Sequence, residues 1–203
     1  MRDPDLPNSV RLTDPRALRA YAHPTRMALM ALLRRDGPQT ATTAAEALGE
    51  SVPSCSFHLR QMAKYRLVEH AGGGHGREKP WRATAAFTDW DPTSPEPAQA
   101  AAAQALQLAL AGQYYQLATR WVQEQSGEPA QWREAAHFGD TLLHLTAPEL
   151  HDLSRKIDQL VAPYLERLGD AASRPQGSRP VTFVHLAFPM LLTRDDSHVD
   201  RSE

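Results

Sequence analysis

Apolar residues recur at helical spacing in several separate stretches of the chain, and proline, glycine or acidic residues close each one. Asp14-Pro15 supplies an N-cap and a first-turn proline for a short helix over about 15–21. Pro24 opens a second helix, in which Met27, Met30, Ala31 and Leu33 share a face until Asp36-Gly37-Pro38 ends it. A third, rich in alanine, covers about 42–48 and stops at Gly49. A fourth starts at Ser51 or Pro53 and runs to about Tyr65, with Cys55, Leu59 and Met62 on one side. Two extended segments, about 67–71 and 78–83, flank Gly72-Gly73-Gly74-His75-Gly76, a run that suits a hairpin tip.

Beyond residue 90 the pattern lengthens. Leu106, Leu110, Tyr114, Leu117 and Trp121, spaced 4, 4, 3 and 4, predict a helix over 97–125. Leu150, Leu153, Ile157, Leu160, Tyr164 and Leu168 predict another over 148–168, with Pro163 placed to kink its last turn. Residues 136–145 and 181–188 read as extended and could pair as strands. Three prolines within 91–97 make a stiff linker, and 170–180 reads as a second, flexible connection. The first twelve residues show no period and read as a flexible arm; 193–203 reads as a disordered tail.

Composition narrows the class. The chain has 203 residues, 41% of them hydrophobic and 23% charged, as expected of one or two soluble globular units. No apolar run reaches the roughly 18 residues of a membrane span, and Met-Arg-Asp-Pro-Asp-Leu-Pro lacks the apolar stretch of a signal peptide. A cytoplasmic protein without membrane contact is expected. The lone Cys55 excludes an intramolecular disulfide framework and any zinc site of two thiolates. The net charge of −2 conceals an asymmetry: residues 1–90 carry +4 and residues 91–203 carry −6. A basic half beside an acidic one fits a nucleic-acid-binding domain joined to a domain with another task.

Residues 40–82 carry the chemistry. A short helix, the turn Leu48-Gly49-Glu50-Ser51, a longer helix and a glycine-tipped hairpin make a winged helix-turn-helix. A helix that enters a major groove needs small or polar outward residues and an apolar inner face. On a helical wheel Ser51, Pro53, Ser54, Ser56, Phe57 and Arg60 point outward, while Cys55, Leu59 and Met62 point inward. The serines can donate to phosphates or base edges, Arg60 can reach phosphate or guanine, and Phe57 can touch a thymine methyl. Thr40, Thr43 and Ser51 stand near helix ends to anchor phosphates. Arg77 and Lys79 on the hairpin suit the minor groove or the backbone.

Ala22-His23-Pro24-Thr25-Arg26, the run from Leu48 through Ser56-Phe57-His58-Leu59 to Met62, and Leu67-Val68 together resemble an ArsR-type winged-helix transcriptional regulator over roughly residues 13–84. The resemblance implies a homodimer that binds a pseudo-palindromic operator in double-stranded DNA and usually represses. It also implies that Ser54, Ser56 and Phe57 match base- or phosphate-contacting positions, and that His58 matches the histidine of the Ser-x-His-Leu motif, which puts His58 among the DNA-binding candidates as well. The chain departs from the metal-sensing members: only Cys55 is present, and the 97–125 helix offers no histidine and only Glu124 near its end. Residues 97–192 resemble the extension of larger actinobacterial-type relatives.

The remaining candidates are weaker. Cys55 reads as a small buried hydrophobe rather than a redox sensor, and His23 as a capping or core residue rather than a ligand. His137, His144, His151 and His185 lack ligand spacing, so no metal is expected. Tyr114, Tyr115, Trp121, Trp132 and Phe138 are candidates to line an effector pocket, with a core or dimer seam as the rival reading. The alanines at 98 and 100–103 suit close helix approach in a dimer, or simple helix propensity. No nucleophile elbow, phosphate loop, His-Glu-x-x-His or paired-cysteine motif is present, so neither an enzyme nor a cofactor is expected. The expected fold is mainly α with small β: a winged helix-turn-helix domain over 13–90 and a helical dimerisation and effector region over 97–192 containing a short β-sheet. The expected function is a dimeric DNA-binding regulator, probed against two rivals: a winged-helix interaction adaptor that does not bind DNA, and a small-molecule-binding protein centred on 97–192.

Overall fold

The computed structural model describes residues 9–72, 79–169 and 171–190. Its elements are β1 (Ser9–Leu12), α1 (Pro15–Tyr21), α2 (Pro24–Asp36), α3 (Ala41–Leu48), α4 (Val52–Ala63), β2 (Val68–His70), β3 (Trp81–Ala83), β4 (Phe87–Trp90), α5 (Pro97–Glu124), α6 (Ala130–Ala135) and α7 (Ala147–Gly169). Single 3-10 turns follow α5 and α7. The mainly helical class is that read from the sequence, and the first five expected helices fall within a residue or two of their places.

Local chemistry explains the helix boundaries. The Asp14 carboxylate accepts from the Arg16 backbone N–H at 2.8 Å, and Pro15 fills the first turn of α1. At α3, Thr40 and Thr43 form a reciprocal capping box: the Thr43 N–H donates to Thr40 Oγ1 at 3.1 Å, and the Thr40 N–H donates to Thr43 Oγ1 at 3.0 Å. Gly49 then ends α3 in the left-handed region, φ 67°, which turns the chain toward α4. Ser51 caps α4 by accepting from the Ser54 N–H at 3.3 Å.

The core lies where α1–α4 meet the start of α5. Leu18, Leu29, Met30, Leu59, Met62, Leu67 and Leu106 are completely enclosed. Helix α4 packs on α3, α2, α1 and β2, and α5 packs on α1. Two small sheets frame this unit. Strands β2 and β3 pair antiparallel with Val68 opposite Ala83 and His70 opposite Trp81, and Gln39 bridges Trp81 on the other edge. Strand β1 pairs parallel to β4, with Ser9 opposite Phe87 and Leu12 opposite Trp90. Arg34 of α2 holds β4 down, donating to the Ala85 carbonyl at 3.1 Å and to the buried Thr88 hydroxyl at 2.8 Å.

Two expectations change. Residues 9–12, read as part of an arm, are a strand; four residues with only Val10 and Leu12 facing inward are too short to show a period. The segments 136–145 and 181–188, expected to pair, carry no strand ladder, and every residue of both is exposed. A strand needs a partner for its amide groups, and apart from Ala136, whose N–H closes α6 on the Trp132 carbonyl at 3.1 Å, none of their backbone groups pairs with another backbone group among the described residues. Helix α7 has the expected bounds to within a residue and keeps Pro163 inside it.

Candidate nucleic-acid interface

The helix-turn-helix is α3, the turn at 49–51 and α4. Its inner face is sealed, since Cys55, Leu59 and Met62 have no exposure. Burial pushes the Cys55 thiol upward, with the nearby Glu50 carboxylate adding to the effect. The outward rim holds Ser51, Pro53, Phe57 and Arg60 exposed, with Ser54 and Ser56 half-buried beside them. Phe57 keeps 50% of its surface free, which is unusual for an aromatic residue with a buried core so close. Arg60 ties its Nε to the Ser56 carbonyl at 3.1 Å, one helical turn back, so its guanidinium leaves the helix in a defined direction.

His58 behaves differently from its rim neighbours. Its ring lies 4.6 Å from that of His23, and its Nδ1 sits 3.3 Å from an Arg26 guanidinium nitrogen. Arg26 also donates from Nε to the Ala20 carbonyl at the end of α1. The two motifs that carry the sequence resemblance therefore meet in space: the His-Pro-x-Arg at the start of α2 clasps the Ser-x-His-Leu of α4. Burial holds both imidazoles below their ordinary range, and the Arg26 charge reinforces this. His23 occupies the N-cap position of α2 without capping it, and its Nδ1 is buried with no partner among the described residues. His58, expected among the DNA-binding residues, is thus half-buried and directed to His23 and Arg26 instead of standing with the exposed rim.

The phosphate-anchoring candidates are partly engaged already. Thr40 and Thr43 spend their hydroxyls on the capping box, although Thr43 remains exposed. Ser51 accepts from Ser54, which leaves its own hydroxyl proton to donate outward. Lys79 is exposed at the root of the hairpin. Arg77 lies outside the described residues, as does most of the glycine tip. Sequence reading missed a basic cleft of about 440 Å³ between α1 and α4, lined by Arg16, Arg19, Arg26, Phe57, Gln61 and Tyr65. The signal was available in Arg16 and Arg19, spaced three apart on a helix face. Arg16 is held there by Asp14 at 3.1 Å, whose carboxyl that guanidinium keeps below its usual range.

The aromatic candidates for an effector pocket do not converge in a single chain. Tyr115 is 74% exposed and Phe138 66%, while Tyr114 and Trp121 are half-buried along α5. Trp132 lies under the Arg179 guanidinium at 5.2 Å. None of the five lines the basic cleft or the other cleft, of about 640 Å³, between β1 and the wing sheet. Among the described residues no three His, Cys, Asp or Glu side chains are grouped as a metal site requires. No described helix is long and apolar enough to cross a membrane.

Against known proteins, residues 21–71 match a family model described as a helix-turn-helix domain. That span begins at the end of α1 and closes just past β2, so it covers the cluster of His23, Arg26 and His58 and the whole of α3 and α4. It supports DNA binding and transcription regulation as the business of this part of the chain. No curated protein matches the chain.

Proposed function

We propose that the chain is a homodimeric, sequence-specific transcriptional regulator of the ArsR-like winged-helix class, acting as a repressor under the control of a small molecule or partner. The observation that carries the reading is the free outer rim of α4. The elements packed on that helix are α1, α2, α3 and β2, and its Pro53–Phe57–Arg60 side stays exposed, with α1 flanking Phe57 across the basic cleft. Two such helices enter successive major grooves roughly 34 Å apart. Thr43, Ser51 and Lys79 contact phosphates around them, and Arg77 completes the set from the hairpin.

Dimerisation is favoured by α5. Its buried stripe faces α1 through Ala102, Ala103 and Leu106. A second stripe, Ala101, Ala105, Leu108, Gly112, Tyr115, Thr119 and Val122, alternates spacings of four and three and faces away from the core. That is the spacing of a helix seam that packs against another helix. A single thiol with a raised pKa makes no thiolate sensor, so the signal is organic or a protein, taken up in the 97–192 half. Tyr114, Tyr115, Trp121, Trp132 and Phe138 are the side chains proposed to receive it. No enzymatic activity is proposed.

Selection of bound sequences from a random duplex library tests the reading. A recovered palindrome with half-sites one helical turn apart is the expected result. Passage through heparin and random duplex without retention, with no sequence enriched, would instead support an interaction adaptor in which exposed Phe57 serves a protein contact.

A further inference from the structure

Residues 137–145 and 180–190 are the least satisfied parts of the described chain. None of their backbone groups takes part in a hydrogen bond among the described residues. Both are rich in large apolar side chains on each face: Phe138 and Leu142 against Leu143 and Leu145 in the first, Phe183 against Val184, Leu186 and Phe188 in the second. Strands apolar on both sides belong to sheets covered on both faces. Their charge is nearly nil, since Asp140 is the only formally charged residue of the two. A like surface can therefore approach without repulsion.

The two segments leave from one place. Arg179 pairs with Glu128 at 2.6 Å and covers Trp132 of α6, so the second segment starts beside the helix that ends where the first begins. Helix α7 connects them with 23 residues, ample for a crossover, yet no hydrogen bond closes them on each other within the chain. The apolar surface left open is large. Within the two segments, ten large apolar side chains are 40–75% exposed. Together they leave on the order of 1,000 Å² open, comparable with the about 800 Å² per partner of a stable interface.

We propose that 137–145 and 180–190 are strands of a sheet shared between two copies of this chain, each copy lending one segment to the other. The proposal rests on the homodimer reading and deepens it: the α5 seam brings two copies together, and the exchanged strands make the union permanent, with α7 covering the sheet.

Cross-linking and hydrogen exchange test it. In a Cys55→Ala background, Leu143→Cys is combined in one chain with Phe183→Cys or with Val184→Cys, one for each face of the second segment. Mild oxidation is expected to give a dimer-sized band on a non-reducing gel. A monomer-sized product with its thiols consumed would place the pairing inside one chain and overturn the exchange. In the unmodified chain, amides of 138–145 and 181–188 are expected to be protected; fast exchange throughout would overturn the proposal whatever the variants do. Sedimentation separates the two levels. A dimer weakened at least tenfold by Phe183→Asp with Leu186→Asp, at unchanged helical content, supports the shared sheet. A dimer indifferent to that pair removes the exchange and leaves the homodimer standing. A monomeric unmodified chain removes both.

Discussion

Beneath the recognition helix, two imidazoles and a guanidinium share a half-buried site, and their chemistry sets how the protein responds to acid. His23 and His58 have pKa values below the ordinary 6.5 in the folded chain. The unfolded chain therefore takes up these protons first. The stability they contribute is complete above pH 6.5 and is lost as the pH falls through their lower folded values. Thermal unfolding between pH 7 and 5 should show the melting temperature dropping, and His58→Asn should flatten that slope. The carboxylates whose pKa values lie below 3.8 in the fold, such as Asp36 beside Arg35, contribute only in a more acidic window. Arg26→Ala should cost about 1–3 kcal/mol in a urea titration, because it leaves the Ala20 carbonyl and His58 Nδ1 short of a donor. At the rim, Arg60→Ala should weaken operator binding by about 1–3 kcal/mol if its guanidinium reads a base; an unchanged gel-shift titration would exclude it. The inner-versus-outer division of α4 was legible from spacing alone. The inward turn of His58 was not, because a helical wheel places it between the two faces and only Arg26, 32 residues away, decides the matter.

Helices in this chain are announced by their caps, and this is why their boundaries could be read. Asp14-Pro15, Thr40 with Thr43, Gly49 and Ser51 each act within four residues of their own position, so sequence contains the whole interaction. Thr40→Ala should cost about 1 kcal/mol of stability by chemical denaturation. Gly49→Ala should cost a similar amount, about 1 kcal/mol, entirely through its φ of 67°, since a Cβ there would meet no atom within 4 Å. Strands depend on distant partners and were read less well. Strand β1 was missed because its partner lies 78 positions away, at Ser9 opposite Phe87. The segments 136–145 and 181–188 have the composition of strands without a ladder in the single chain, the expected outcome when the partner is another molecule.

At the scale of the whole molecule, the charge asymmetry and the open apolar surface divide the work. The basic side, with Arg19, Arg60 and Lys79 exposed around α4, should make DNA affinity fall steeply with salt. Lys79→Ala should lower the slope of log affinity against log salt by about 1 while leaving the selected sequence unchanged, as filter binding at several salt concentrations can measure. The acidic half supplies the apolar surface instead. The proline-rich stretch at 91–97 reads as a boundary between two units, yet just beyond it Ala102, Ala103 and Leu106 are buried in the same core as α1–α4. How firmly the two are joined was not legible, since it depends on α1 lying against α5 and on β1 lying beside β4. That last pairing acts as a clasp. The polypeptide returns to β1 shortly before it enters α5, so a shortened product starting after Leu12 would keep α3 and α4 whole and yet lose one strand of the clasp. On the proposed reading such a product would still select the same sequence, but with α5 less firmly steered it would hold two half-sites at a poorly defined distance, so that substitutions in β1 would tune the grip on DNA without touching the rim of α4.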